Sequence, residues 1–214
     1  LLLILQPDLG QTLLIIFSWI ILIFVSGINL FLLFSISLFG IISLLYISFN
    51  VSKFEYIKNR LLSFFDSETG THNFQSDKAL DTIMSGGFFG KGIGEGTLKN
   101  RVPEAHTDYI ISVISEEFGV IAIMLILVLF LVFIFSILKK VDKEPNNTIR
   151  LILVGASSLI LLQAMIHIGV NIRLFPTTGM TLPFLSYGGS SIISVSILSG
   201  IILNLTKRKV LFSK

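Results

Sequence analysis

The chain has 214 residues, 53% of them hydrophobic and 14% charged, with a formal net charge of +3. A soluble domain averages roughly 25% charged residues, so this composition excludes a disordered chain, a nucleic-acid-binding tail and an ordinary soluble enzyme. Cysteine is absent, which removes disulfides, thiolate nucleophiles and Cys metal ligands from consideration.

A helix that crosses a bilayer needs ~20 mostly apolar residues. Residues 1–5 are apolar, but neither Met nor a basic segment precedes them, so they do not read as a signal peptide. They read as the end of an earlier helix, and the chain as a fragment lacking its N-terminal part. Residues 9–28 form the first full run. Ser26, Gly27 and Asn29 mark a turn, and residues 30–49 form the second run. Residues 50–107 are polar, charged and glycine-rich, which predicts one large loop. The third run is 118–138, followed by a polar link over 139–150 with Pro145-Asn146-Asn147 as its turn signal. The fourth run is 151–171, the next link is 173–183, and the fifth run is 183–205. The predicted fold class is therefore all-α, a polytopic transmembrane helix bundle of five full spans plus the end of a sixth, with residues 1–214 as one membrane domain.

Lys and Arg in short loops set orientation. Lys139, Lys140, Lys143 and Arg150 follow the third span, and Lys207, Arg208, Lys209 and Lys214 follow the fifth. An even number of crossings separates these clusters, so they share a side, and their charge makes that side cytoplasmic. Residues 50–107 and 173–183 then face outward, together with Pro7-Asp8.

The long loop contains Ser85-Gly86-Gly87-Phe88-Phe89-Gly90-Lys91-Gly92-Ile93-Gly94-Glu95-Gly96. A P-loop would need Gly where Ser85 stands and a hydroxyl where Gly92 stands, so that motif fails. Two readings remain: a tight loop over a membrane mouth, or backbone N–H groups and Lys91 facing an anionic ligand. Further on, Arg101-Val102-Pro103-Glu104-Ala105-His106-Thr107-Asp108 ends the polar region. Asp108 lies at a membrane–water boundary, where partial desolvation would raise a carboxyl pKa and suit it to act as a base. The alternative is that Thr107 or Asp108 caps the next helix, with Glu104 and His106 as loop charges. Glu116-Glu117 reads as an acidic pair at a helix N-terminus, and Asp8 as a helix start. Gln163, His167 and Asn171 recur at i, i+4 and i+8 on one face of the fourth span, which suits interhelical hydrogen bonding. Arg173 just beyond could grip a diphosphate or anchor the helix at headgroup level. Ser186-Tyr187-Gly188-Gly189-Ser190-Ser191 opens the fifth span with small residues and does not match a serine-hydrolase turn.

These stretches, with Gln6-Pro7-Asp8-Leu9-Gly10, Glu116-Glu117-Phe118-Gly119 and residues 179–191 (Gly-Met-Thr-Leu-Pro-Phe-Leu-Ser-Tyr-Gly-Gly-Ser-Ser), run in family order over nearly the whole chain. The chain resembles the SEDS proteins, the polytopic peptidoglycan glycosyltransferases of the FtsW and RodA type. The resemblance implies the C-terminal half of a ten-helix protein that polymerises lipid-linked disaccharide-peptide (lipid II) into glycan strands. It implies Asp108 as the catalytic carboxylate and directs Lys91, Arg101, Glu104, His106, Arg173, Ser186 and Ser190 toward the substrate. Ala105 and Thr181-Leu182-Pro183 resemble the division type, which implies a bacterial cytoplasmic membrane protein at the division site; the elongation type and a lipid II flippase are the alternatives, with a non-catalytic scaffold as a third. Implied partners are a class B penicillin-binding protein transpeptidase, other divisome membrane proteins and the bilayer itself. No cofactor is implied with certainty; a divalent cation such as Mg2+ or Mn2+ is one candidate for the diphosphate's counter-charge. The chain departs from the family pattern at His167, commonly Asn, and at Thr178, often Lys.

Overall fold

The computed structural model describes residue 6 and residues 8–51, 54–65 and 71–207. Residues 1–5, Pro7, Lys53 and the basic residues Arg208, Lys209 and Lys214 lie outside them, and so does what the sequence predicts there. Among the described residues the regular elements are all helical: α1 (Leu9–Val25), α2 (Leu30–Asn50), α3 (Glu55–Phe65), α4 (Thr71–Gly86), α5 (Ile110–Val141), α6 (Asn147–Asn171) and α7 (Gly189–Thr206), with a 3-10 turn at Leu98–Arg101.

Helices α2, α5, α6 and α7 are long and apolar enough to cross a membrane. Helix α1 is apolar but has 17 residues, about 26 Å at the helical rise per residue, against a ~30 Å hydrocarbon core. Each of the five expected runs thus contributes an apolar helix, four of them long and α1 at the lower end of the roughly 17–25 residues that cross a bilayer. The ends of α1 are set locally. The Asp8 carboxylate accepts the Gln11 N–H at 2.9 Å and caps the start. Ser26 and Gly27, the latter at φ 86°, end it three residues earlier than hydropathy alone suggests. Helix α2 buries only Leu33 and Ser48 and leaves its other side chains exposed or partly exposed.

The expected single loop over 50–107 contains two helices and the 3-10 turn. In α4 the buried residues Ser76, Ala79, Thr82 and Ile83 form one narrow stripe. The opposite face carries Lys78 and Asp81, so the composition of the segment hides a helix that packs on α5. Gly86 sits where the two helices cross: a Cβ there would lie 1.9 Å from the Ser115 carbonyl oxygen.

Helix α5 begins at Ile110, eight residues before the apolar run, and breaks at Gly119 (φ 79°, ψ 177°). Its first segment, with Ile111, Ser112, Ser115 and Glu116 buried, belongs to the loop-bearing end; the second spans. The break leaves two N–H groups for the incoming chain. Val120 N donates to Gly87 O at 2.9 Å and Ile121 N to Phe88 O at 3.4 Å.

Helix α6 is the central element, packed against α1, α5 and α7. Asn146 caps it by accepting from Thr148 N and Ile149 N, so it starts four residues before the expected span. It places Leu153, Val154, Ala156 and Ile160 in one core cluster, Ala164 and Ile168 in a second and Ile166 and Val170 in a third. The fifth run is helical only from Gly189, because residues 183–188 turn instead. Gly10 at the start of α1 lies against Met180 and Thr178. The start of α1, the long loop and the link after α6 therefore share one end of the bundle. Val25 and Ser26 lie by Asn147 and Arg150 at the other end.

Gly119→Ala would place a methyl 2.1 Å from Phe88 O in left-handed backbone, a change expected to cost about 1–3 kcal/mol. Gly40→Ala, with open space around it, is expected to be neutral or to gain up to about 1 kcal/mol. Thermal unfolding of the detergent-solubilised full-length protein checks both, as a lowered midpoint for the first and none for the second.

Candidate functional site

Two segments meet at the loop-bearing end: the turn 101–109 that feeds α5, and the link 172–188 between α6 and α7. Glu104 adopts a left-handed conformation, φ 53°. Its carbonyl oxygen then accepts the N–H groups of Thr107, Asp108 and Tyr109 at 3.1, 3.1 and 3.3 Å. The Thr107 hydroxyl donates to the Glu104 carboxylate at 3.0 Å. The helix N-cap is Tyr109, with no side-chain cap bond. Neither Thr107 nor Asp108 therefore caps α5: their own N–H groups close a turn on Glu104 O, and Tyr109 takes the N-cap position. Below the turn, the Tyr109 ring is buried and its hydroxyl meets Ser76 Oγ at 3.4 Å.

The Asp108 carboxylate is left half-buried. Gly179, at φ 68°, packs against it: a Cβ there would stand 3.4 Å from Asp108 Oδ2. Burial, and next the neighbouring Glu104 charge, raise the Asp108 pKa above the ordinary carboxylate value, while the Thr107 hydroxyl opposes them. The backbone around it is latched from three sides. Asn171 Nδ2 donates to Asp108 O at 3.1 Å. Ser186 Oγ donates to Thr107 O at 2.6 Å and accepts Leu182 N at 2.8 Å. Tyr187 N donates to His106 O at 3.0 Å.

The polar face of α6 holds the link. Gln163 Nε2 lies 2.9 Å from Thr181 O and 3.2 Å from Ser191 Oγ. His167 Nδ1 lies 2.7 Å from Met180 O, and because a carbonyl only accepts, Nδ1 carries the proton. His167 and Thr178, the two departures from the family pattern, are both buried.

The anion beside the glycine loop is the chain's own, held by the loop's Lys91 and by the turn that follows the loop. Glu116 is fully buried. Its Oε1 accepts Thr97 N and Leu98 N at 3.0 Å each and Lys91 Nζ at 3.1 Å, and its Oε2 accepts Lys99 N at 2.7 Å. Glu117 accepts Gly94 N at 3.2 Å and pairs with the Lys99 ammonium. The reading of this loop as a cradle for an external anion is therefore corrected: Lys91 and the N–H groups of Thr97, Leu98 and Lys99 face Glu116, Gly94 N faces Glu117, and the N–H groups of Lys91 and Gly92 bind the backbone carbonyls of that same pair. The plain macrodipole reading of that acidic pair is corrected with it. Two carboxylates at an apolar border, with Lys91 in the preceding glycine loop and Lys99 just after it, were the available signal.

The other expected residues are dispersed. Arg101, Glu104, His106 and Ser190 are exposed. Arg173 pairs with Asp77 at 2.6 Å, and Arg60, which sequence reasoning passed over, donates to Thr177 O at 3.1 Å. The void of about 10 Å³ beside these two arginines is the size of one water site and does not admit a diphosphate in this arrangement. Among the described residues no group of three His, Cys, Asp or Glu gathers as a metal site.

Fold and site together define a multi-pass helical membrane protein with a half-buried carboxylate at one end of its bundle. The chain belongs to the FtsW/RodA/SpoVE family, "Cell cycle protein", whose model matches residues 1–210. It is 34% identical over 209 residues to the "Probable peptidoglycan glycosyltransferase FtsW" of Caulobacter vibrioides, covering 97% of this chain and 52% of that protein. It is 38% identical over 162 residues to the protein of the same name from Enterococcus hirae, covering 74% and 41%. It is 35% identical over 206 residues to "Stage V sporulation protein E" of Bacillus subtilis, covering 94% and 55%. The chain thus spans about half the length of these curated relatives. A solved chain described under "Structural coordination of polymerization and crosslinking by a peptidoglycan synthase complex" superposes with a TM-score of 0.75 at 28% identity, covering 96% of this chain and 56% of that one.

Replacing Glu116 by Gln would leave Lys91 without its counter-charge and weaken four bonds to one buried group. A loss of about 1–3 kcal/mol is expected, read as a lower unfolding midpoint and faster tryptic cleavage after Lys91 and Lys99.

Proposed function

We propose that the protein containing this chain polymerises lipid-linked disaccharide-peptide into peptidoglycan glycan strands, with Asp108 as general base. One observation carries this reading: a half-buried carboxylate that caps no helix and packs on Gly179, on a turn whose backbone carbonyls are bound by Asn171 and Ser186 at the joint of two loops. The names of the relatives supply the substrate class.

In the proposed reaction the acceptor sugar's 4-hydroxyl gives its proton to the Asp108 carboxylate as its oxygen attacks the donor's anomeric carbon. The new glycosidic bond forms as the bond from that carbon to the lipid diphosphate breaks, and the diphosphate leaves with the electron pair. In-line attack inverts the linkage from α to β. A diphosphate is already a good leaving anion, so it calls for cationic stabilisation rather than a second carboxylic acid. Arg101, exposed on the turn that leads to Asp108, is the candidate cation in this arrangement; Lys91 and Arg173 are engaged by Glu116 and Asp77.

In this reading residues 50–107 form the extracytoplasmic loop and residues 139–150 lie in the cytoplasm, the side that their lysines favour. The substrate's tail stays in lipid while its sugars reach Asp108. The division septum is the proposed place of action, and a class B penicillin-binding protein transpeptidase the proposed partner. The solved relative, described as a complex that couples polymerisation to crosslinking, supports that pairing.

Full-length protein in proteoliposomes, given lipid-linked disaccharide-pentapeptide, is the test. Asp108→Asn is expected to abolish polymer without loss of expression or of the unfolding midpoint; retained polymer would remove Asp108 from the mechanism. Translocation of the lipid without polymer from the wild type would instead identify a flippase.

The pH profile supplies a second check. A base works deprotonated, so the rate rises as pH climbs through the Asp108 pKa. Because that pKa is raised, the acid limb should lie above the ordinary carboxylate range. Glu104→Gln removes one raising charge, and the limb should move to lower pH while the plateau rate persists.

A further inference from the structure

Three contacts close a ring around the turn that carries Asp108. Asn171 Nδ2 donates to Asp108 O at 3.1 Å. Two residues on, Arg173 pairs with Asp77 of α4 at 2.6 Å. Beside Asp77, Ser76 Oγ meets the hydroxyl of Tyr109 at 3.4 Å, and Tyr109 follows Asp108 in the chain. The ring thus joins the turn 101–109, the link after α6 and helix α4. Ser76, Tyr109 and Asn171 are buried, whereas the Arg173 and Asp77 side chains are 26% and 38% exposed. The ion pair is the joint of the ring that water reaches.

The backbone at Arg173 is a second observation. Helix α6 ends in a Schellman turn: Leu174 N donates to Gly169 O at 2.7 Å and Arg173 N to Val170 O at 3.1 Å. Arg173 holds the left-handed position of that turn, φ 61°, which glycine fills at no steric cost. Arginine there carries a strain that glycine would not, so ending the helix does not account for its side chain. The guanidinium instead reaches across to the Asp77 carboxylate on α4. With that pair open, α4 would still hold the turn at Tyr109 and the link would still hold it at Asp108 O. The two supports would lose this tie to each other, and with it a fixed mutual distance.

We propose that Arg173 and Asp77 are positioning residues for Asp108: their ion pair clasps α4 to the link and fixes where the Asp108 carboxylate stands. The proposal rests on the polymerase reading for the rate it affects, and it adds which residues outside the turn set that rate. A general base must stand roughly 2.6–3.2 Å from the oxygen whose proton it takes. A partly exposed ion pair contributes little to overall stability, so its loss should show in the rate rather than in unfolding.

The experiment uses full-length protein in proteoliposomes with lipid-linked disaccharide-pentapeptide. The variants are Arg173→Gly, Asp77→Asn, and the double exchange of Arg173→Asp with Asp77→Arg. Each single variant is expected to lower kcat about tenfold, inside the roughly 10²-fold that a misplacement of about 1 Å can cause, with KM within about twofold of the wild type. The unfolding midpoint should hold for Asp77→Asn and hold or rise for Arg173→Gly, which relieves the left-handed strain. The double exchange rebuilds the pair in reverse and should recover most of the lost kcat. Hydrogen exchange read by mass spectrometry needs no turnover. The amides of Thr107, Asp108 and Tyr109, bound to Glu104 O, should exchange faster in the single variants and at the wild-type rate in the double exchange. An unchanged kcat, unchanged amide exchange, or a lowered kcat that a folded double exchange leaves unrecovered would each overturn the proposal. A raised KM at constant kcat would overturn it too, by placing Arg173 on the substrate. A wild type that makes no polymer while the amides respond as expected would refute the polymerase reading and leave the clasp standing as the support of the turn.

Discussion

The loop-bearing end of this protein depends on one buried carboxylate. Glu116 is removed from water at the border of a membrane span, where an unpaired charge would cost several kcal/mol. Its ionisation is sustained by the Lys91 ammonium and by three consecutive backbone N–H groups from Thr97 to Lys99. The partners are distant in sequence, so the carboxylate closes a long polar excursion onto the span that follows it. Gly96 permits the approach, since a Cβ there would lie 2.7 Å from Glu116 Oε2. The break of α5 at Gly119 completes the join by offering Val120 and Ile121 N–H groups to the same loop. Everything between that anchor and α5, including the turn that carries Asp108, starts from a fixed point.

The second support comes from α6. Its buried polar face would be costly against lipid, and it is spent on the link to α7. Gln163 and His167 bind that link at Thr181 and Met180, and Asn171 reaches across to the carbonyl of Asp108. The link returns the connection through Ser186 and Tyr187. Two irregular segments with little regular structure of their own are thus held by a rigid central helix on one side and by the Glu116 anchor on the other. The Asp108 carboxylate depends on that support, because its raised pKa follows from its burial and its fixed distances to Glu104 and Thr107.

The spans and their order were legible in the sequence because a bilayer demands long apolar runs, and 53% hydrophobic residues arranged in blocks meet that demand. The grouping of Gln163, His167 and Asn171 was legible from their spacing, and the departure of Asp108 from the apolar pattern marked it for attention. Other features were hidden. Helix α4 reads as loop because only Ser76, Ala79, Thr82 and Ile83 face inward, too narrow a stripe to dominate its polar composition. The shortness of α1 came from a cap and a turn, which hydropathy does not weigh.

By itself, then, the sequence determined a polytopic all-α membrane chain, the ends of the bundle at which its polar segments gather, and the family whose motifs it carries. Those are consequences of composition, periodicity and local residue order. The tertiary structure alone decided what each polar group faces. Lys91 and the glycine loop turned to Glu116 rather than to a ligand, and Arg173 to Asp77. Asp108 was left half-buried against Gly179, just ahead of the N-cap position that Tyr109 takes. Charge partners and desolvation depend on contacts between segments far apart in the chain, and no local pattern encodes those distances.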